Sequence, residues 1–230
     1  MSDAIKPIAM PGTHERFLKH FHTHQFPSST SILDIGAGHG ALTQHLHQAG
    51  FPMAACDLFP EIYHYPDVPC VQADITQALP FEDQQFDLAI AVEVSEHINA
   101  HDPFFREAAR VLKPGGSLFI TTPNILSLKS RMRFLFRGFY YSFDPLEMNR
   151  HDGLQHVASL TLDQYQYVAM KHGFKAPQVS IDKQQSTSLW LLRTIWLPIR
   201  LFNWLKGNPK KHNHLDLLTG RILFLRFERT

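Results

Sequence analysis

Residues 32–40, Ile-Leu-Asp-Ile-Gly-Ala-Gly-His-Gly, constrain the fold more tightly than any other stretch of this chain. A short apolar run containing Asp34 ends on Gly36, Gly38 and Gly40 and passes directly into a helical pattern up to about residue 49. Glycines at alternate positions suit a backbone that turns sharply from strand to helix and lets a ligand approach where a Cβ would stand. The spacing is G-x-G-x-G, which differs from the G-x-G-x-x-G of dinucleotide folds. An NAD dehydrogenase is disfavoured on that ground.

Apolar runs then alternate with helical patterns. Residues 31–35, 51–57, 70–73, 86–92 and 117–122 read as strands. Asp102 as N-cap with Pro103 at the first helical position opens a helix through Leu112, and Lys113-Pro114-Gly115-Gly116 stops it. This rhythm predicts a parallel, doubly wound α/β sheet with helices on both faces. Residues 1–12 read as a loose arm, followed by a helix that Thr13 caps and that runs to about His24. After Pro123 the rhythm changes. A capping box at Thr161 and Gln164 opens a helix that Gly173 closes, and residues 177–184 and 220–229 read as two more strands. The expected organisation is one domain over 1–230, with an arm and helix at 1–29 and a cofactor-binding half at 30–124. Two insertions, 125–160 and 186–219, leave the carboxyl ends of strands, where ligands bind in such sheets, and are expected to cap the acceptor site.

Two cysteines, Cys56 and Cys70, are too few for a disulfide framework and lack zinc-site spacing. With no apolar run near the start that reads as a signal peptide, the expectation is a reduced, cytoplasmic chain. The overall charge of +1 hides an asymmetry. Up to Asn124 there are 6 Lys+Arg against 14 Asp+Glu, and beyond it 16 against 7, so the halves carry −8 and +9. All three tryptophans, Trp190, Trp196 and Trp204, fall in the basic half, which suggests a partner or surface addressed by that half alone.

Asp57 ends the second strand 17 residues after Gly40, placed to accept from two ribose hydroxyls, and Asp74 follows the third strand, where it can accept from an adenine amino group. On these residues the sequence resembles the class I S-adenosylmethionine-dependent methyltransferases. Residues 32–40 are similar to the first motif of that family, Asp57 to the acidic end of its second, and Ala73-Asp74-Ile75 to its adenine-contacting motif. Phe86-Asp87, Glu93 to Ile98, and Arg110 to Gly116 are similar to its later motifs in their usual order. The resemblance covers about residues 30–184. It implies a Rossmann-like three-layer αβα sandwich with a seven-stranded, mostly parallel sheet and an antiparallel last strand. It also implies S-adenosylmethionine as cofactor, held by Asp34, Gly36, Ala37, Gly38, Gly40, Asp57, Leu58, Asp74, Ile75, Val92 and Glu93.

The residues after the fourth strand, Glu93-Val94-Ser95-Glu96-His97, place two carboxylates and an imidazole within one turn. Such a group can hold Mg²⁺ or another divalent metal, or use His97 as a general base. The E-x-x-E-H pattern is similar to that of the ubiquinone-biosynthesis O-methyltransferases and the small-RNA 2'-O-methyltransferases. The latter carry a histidine five residues before a helix-opening threonine, as His156 stands before Thr161 here. The resemblance implies His97, Glu96 and His156 as catalytic residues and Glu93, Glu96, His97 and His156 as a metal set. The competing reading has the glutamates capping a helix and His97 packing beneath the cofactor.

From Leu189 to Leu205 the only charges are Arg193 and Arg200, which share one face; Leu191, Ile195, Phe202 and Leu205 are expected opposite, with Trp190 and Trp204 flanking the arginines. Seventeen residues with two arginines and Pro198 are a poor membrane span, but with Lys206, Lys210 and Lys211 they suit a helix lying in a membrane interface. The expected acceptor is therefore a small molecule or a lipid- or sugar-linked one methylated on oxygen, with peripheral contact at the inner membrane face through 189–211. Packing over the domain or against a second subunit is the equal alternative, and nucleic acid is disfavoured. A non-catalytic cofactor-binding or membrane-associated interaction protein, or an RNA methyltransferase, are the competing readings of function.

Overall fold

A computed structural model of the protein describes residues 4–205 and 212–230. Strands β1 (Ile32–Ile35), β2 (Met53–Asp57), β3 (Cys70–Gln72), β4 (Phe86–Val92), β5 (Leu112–Pro123), β6 (Gln178–Ile181) and β7 (Ile222–Glu228) form one sheet in the order β3-β2-β1-β4-β5-β7-β6. The first five strands pair in parallel, and β7 runs antiparallel to both β5 and β6. The helices are α1 (Thr13–His22), α2 (Ala41–Gln48), α3 (His101–Val111), α4 (Leu128–Arg137), α5 (Leu162–Lys171), α6 (Ser186–Leu205) and α7 (Leu215–Thr219). Strand order reverses between β1 and β4, and ligands bind in doubly wound sheets at that switch point.

The central strands are apolar on both sides because helices cover both faces of the sheet. Ile32, Leu88, Ile90, Phe119 and Phe224 face Phe17 and Phe21 of α1 and Leu42 and Leu46 of α2. Leu33, Ala89, Leu118, Ile120 and Phe227 face Phe104 and Phe105 of α3 and Tyr165 of α5. The expected three-layer sandwich is therefore the observed one.

Several boundaries differ from the sequence reading. Gly12, in a left-handed conformation, precedes α1 in place of Thr13, whose buried hydroxyl meets Arg221 Nη2 at 3.4 Å. α3 begins at His101 after Ala100, so Asp102 is not its cap. The Asp102 carboxylate instead accepts from Lys171 Nζ at 2.6 Å and lies 3.1 Å from His172 Nε2, tying α3 to the end of α5. The segment Lys113–Gly116 does not delay the next strand, because β5 starts at Leu112 with a register shift against β4 between Phe86 and Leu88. The capping box at Thr161 and Gln164 forms as the sequence predicts.

α6 corrects the expected division of its faces. Its buried Ser188 and half-buried Leu191, Leu192, Ile195 and Ile199 pack inward, with α4 and α7 as neighbouring helices. Phe202 and Leu205, expected beside Leu191 and Ile195, are exposed. Among the described residues no helix is long and apolar enough to cross a membrane. Lys206, Lys210 and Lys211 lie outside the described residues.

Candidate active site

A cavity of about 730 Å³ opens where β1, β2 and β4 end. Its wall includes twelve of the residues singled out in the sequence: Gly36, Ala37, Gly38, Asp57, Leu58, Asp74, Ile75, Val92, Glu93, Glu96, His97 and His156. Asp34 and Gly40 are not among the lining residues.

The turn after β1 explains its glycines. Gly36 has φ +72° and a Cβ there would come within 2.6 Å of Val94 Cγ2; Gly40 has φ +85° with the Tyr63 ring at 2.6 Å. Both positions therefore exclude a side chain on conformational and steric grounds. In place of a cavity-facing acid, Asp34 is buried beneath this turn, where Oδ2 accepts from Thr43 Oγ1 of α2 at 2.6 Å. Burial outweighs that bond and pushes the Asp34 carboxyl up to about 7. Asp57 reaches the cavity from the end of β2. Its Oδ2 accepts from the Gly38 amide at 2.8 Å and its Oδ1 from the Phe59 amide at 2.9 Å. Asp74 stands at the rim, with Oδ1 accepting from the backbone amide and hydroxyl of Thr76 at 2.9 Å and 2.7 Å.

Glu93 follows β4 with φ +57°, a left-handed conformation that costs a non-glycine residue roughly 1–2 kcal/mol. Thr121 of β5 holds it there: the Glu93 amide donates to the Thr121 hydroxyl at 2.9 Å, and the two side chains meet at 3.0 Å. Burial raises the Glu93 carboxyl to about 7 despite that bond and the Arg221 charge. Glu96 is fully buried, and neither carboxylate oxygen makes a well-formed hydrogen bond. Burial, reinforced by Glu93, holds its pKa well above the usual carboxylate range.

His156 belongs to a distant loop, yet it meets this turn because the backbone clamps it there. The Val157 and Ala158 amides donate to the Glu96 carbonyl at 2.9 and 3.2 Å, and His97 Nδ1 donates to the Gln155 carbonyl at 3.0 Å. The His97 and His156 rings are 4.9 Å apart, edge to face. One ligand atom from each of Glu96, His97 and His156 lies within 4.8 Å of the others. Glu93 is outside that trio, its carboxylate held by Thr121. Burial lowers His97, and burial with the neighbouring His97 lowers His156 to about 4. Among the described residues, buried His156 Nδ1 makes no well-formed hydrogen bond, although the Ser142 backbone partly offsets the lowering.

Of the other lining residues, only His14 is marked in the sequence, as a residue that with Glu15 closes over the cofactor or else forms a surface pair at the helix start. Pro7 to Met10 and His14 close one side, Tyr141, Ser142 and the Asp152–Leu154 segment another, and Arg221 enters at the start of β7. Arg221 Nε and Nη2 both bond Asp182 Oδ2, at 2.7 and 2.6 Å, with the Asp182 side chain fully buried. Cys56 is buried inside β2, and its thiol is pushed far above the usual range by desolvation, so it is no nucleophile.

Residues 33–120 match the methyltransferase domain family. Over 108 residues the chain is 34% identical to a phthiotriol/phenolphthiotriol dimycocerosates methyltransferase 1 of Mycobacterium ulcerans, covering 43% of this chain and 40% of that protein. Over 121 residues it is 33% identical to the mitochondrial ubiquinone biosynthesis O-methyltransferase of Rattus norvegicus, covering 47% and 35%. The match thus spans less than half the length of these relatives. In three dimensions the chain is similar to an S-adenosylmethionine-dependent methyltransferase from Archaeoglobus fulgidus, with TM-score 0.62, 14% identity and 95% of each chain covered. It is also similar to phosphoethanolamine N-methyltransferase 2 of Haemonchus contortus in complex with S-adenosylmethionine, with TM-score 0.59, 18% identity, and 97% and 54% covered. At such identities the likeness is one of fold.

Proposed function

Since the chain has the class I S-adenosylmethionine-dependent methyltransferase fold and carries that methyltransferase domain over residues 33–120, we propose that it transfers a methyl group from S-adenosylmethionine to an oxygen of a small-molecule, lipid- or sugar-linked acceptor. One observation carries the reading. A single cavity joins the glycine turn and Asp57, the expected nucleoside end, to the cluster Glu96, His97 and His156.

In the transfer, the sulfur–methyl bond breaks as the oxygen–methyl bond forms in line, and the sulfonium charge is lost as the sulfide leaves. The protein's work is alignment and exclusion of water, because no covalent intermediate is needed. An alcohol or phenol acceptor must also lose its proton. The carbonyl of Gln155 can only accept, so His97 carries its proton on Nδ1 and keeps Nε2 as an acceptor. With its basicity depressed by burial, His97 is neutral at physiological pH and able to take that proton. His156, lowered further, is the weaker base and serves to orient.

The same residues fit a divalent cation. One carboxylate and two imidazoles are a suitable donor set, and both Glu96 oxygens and His156 Nδ1 are buried without a well-formed hydrogen bond among the described residues. Glu96, His97 and His156 would hold the ion, which when bound supplies a lowered pKa at an adjacent hydroxyl.

The test uses purified protein and S-adenosylmethionine labelled in its methyl group, incubated with cell extract that is then split into lipid, polar and RNA fractions. Label in the lipid or polar fraction supports the reading. Label in RNA alone selects the RNA methyltransferase alternative, and label in none, with normal cofactor binding by calorimetry, overturns catalysis.

A further inference from the structure

α6 carries apolar residues on opposite sides, yet among the described residues only one of those sides is covered. Trp190, Leu197, Leu201 and Trp204, spaced at i, i+7, i+11 and i+14, form one stripe on the side opposite Ser188 and Ile195, and stand 62%, 75%, 53% and 77% exposed. Arg193 and Arg200 line one edge of that stripe, both exposed. α4 packs beside α6, tied at its start by the Lys129 amide donating to Ser188 Oγ, and leaves Leu135 and Phe136 71% and 77% exposed. Large contiguous apolar surface on a folded chain marks a contact site.

Charge identifies the occupant. Residues 125–143 and 183–214 contain no Asp or Glu, whereas they hold Lys129, Arg131, Arg133, Arg137, Arg193 and Arg200. A second copy seated symmetrically on this face would bring arginine against arginine. Tryptophans and leucines standing out beside arginines, with no acid among them, match the headgroup layer of an anionic bilayer: apolar rings enter the acyl boundary while guanidinium groups meet phosphates. The face also adjoins the cavity. Tyr141, which lines it, donates its amide to Ser130 Oγ of α4 at 3.0 Å, and the Lys129 ammonium lies 3.7 Å over its ring.

We propose that the outer faces of α4 and α6 dock the protein on an anionic phospholipid surface, in the plane of the interface and without spanning it. The full chain is tested by co-sedimentation with phosphatidylcholine vesicles, with or without phosphatidylglycerol. The expected result is binding to the phosphatidylglycerol vesicles that weakens with added salt, together with a blue shift of tryptophan emission. Arg193→Gln and Arg200→Gln should each weaken binding about five-fold, the effect of one basic residue near such a surface. The triple variant Trp190→Ser, Leu197→Ser, Trp204→Ser should lose binding while keeping the wild-type Tm and S-adenosylhomocysteine affinity, since those side chains are exposed. Absence of binding to anionic vesicles, or undiminished binding by the triple variant, overturns the proposal. So does a dimer in solution that the triple variant dissociates, which would assign the face to self-association.

Discussion

Asp57 Oδ2 accepts the Gly38 amide at 2.8 Å, so the acid closing β2 is fastened to the turn that follows β1. The bond fixes the carboxylate at the cavity wall with lone pairs left for a diol. Asp57→Ala removes these acceptors and loosens the turn, and is expected to weaken S-adenosylhomocysteine binding on the order of a hundred-fold, the worth of about two hydrogen bonds to a charged group. Calorimetry checks this; wild-type affinity in the variant would remove Asp57 from the cofactor site.

A cation at Glu96, His97 and His156 should appear as added stability. Tm of the wild-type protein is expected to rise on addition of Mn²⁺ or Zn²⁺ and fall back with chelator, whereas Glu96→Gln keeps the fold and loses the response. Because burial and the neighbouring Glu93 raise the Glu96 carboxyl above the usual carboxylate range, loading should release protons and tighten as pH rises. A thermal response identical in Glu96→Gln and wild type would place the ion elsewhere.

The parts of this site set by local chain chemistry could be read from the sequence. Gly36 and Gly40 are required by one turn, and Asp57 sits at a strand end that the apolar pattern marks. Arg221 and Asp182 could not be read in the same way, because their meeting depends on β7 inserting between β5 and β6. His156 was traceable only through its distance from Thr161; what brings it to His97 is a pair of amides on the Glu96 carbonyl, invisible to side-chain patterns. Periodicity likewise grouped the α6 side chains but did not say which group would be covered.

Asp34 gives a pH signature with a definite sign. Its carboxyl titrates at about 7 in the folded chain, while an unfolded aspartate titrates near 4, so between those values the folded state holds the extra proton and stability falls as pH rises. Asp34→Asn does not titrate. The Tm difference between variant and wild type should therefore move in the variant's favour from about pH 4 to about pH 7 and stay constant above it. His156, lowered to about 4, tilts the curve the other way in both proteins and cancels in the difference. A difference that does not vary with pH would contradict the burial of an ionisable Asp34.

Removing Asp182 leaves the Arg221 guanidinium, only 9% exposed, without its carboxylate. It also strips the Ile222 amide of its acceptor, 2.9 Å away. Asp182→Ala is expected to cost about 3–5 kcal/mol in urea denaturation, the usual loss when one member of a buried pair is removed. The double replacement Asp182→Leu, Arg221→Met should recover part of it. Equal losses in the single and double variants would show that the pair itself contributes nothing beyond packing.

β6 reaches the sheet only through β7, whereas β5 waits for the same partner on the other side. During synthesis the ribosome delivers β6, then α6 with its uncovered tryptophans, and only afterwards the strand that stitches them to the rest. Until residues 222–228 emerge, β5 presents an open edge and β6 has nothing to pair with. The nascent chain therefore passes through an interval in which the residues of α6 are already synthesised and the partner strand of β5 and β6 is not. The arrival of β7 thus sets the moment at which the Arg221 side of the cavity first exists.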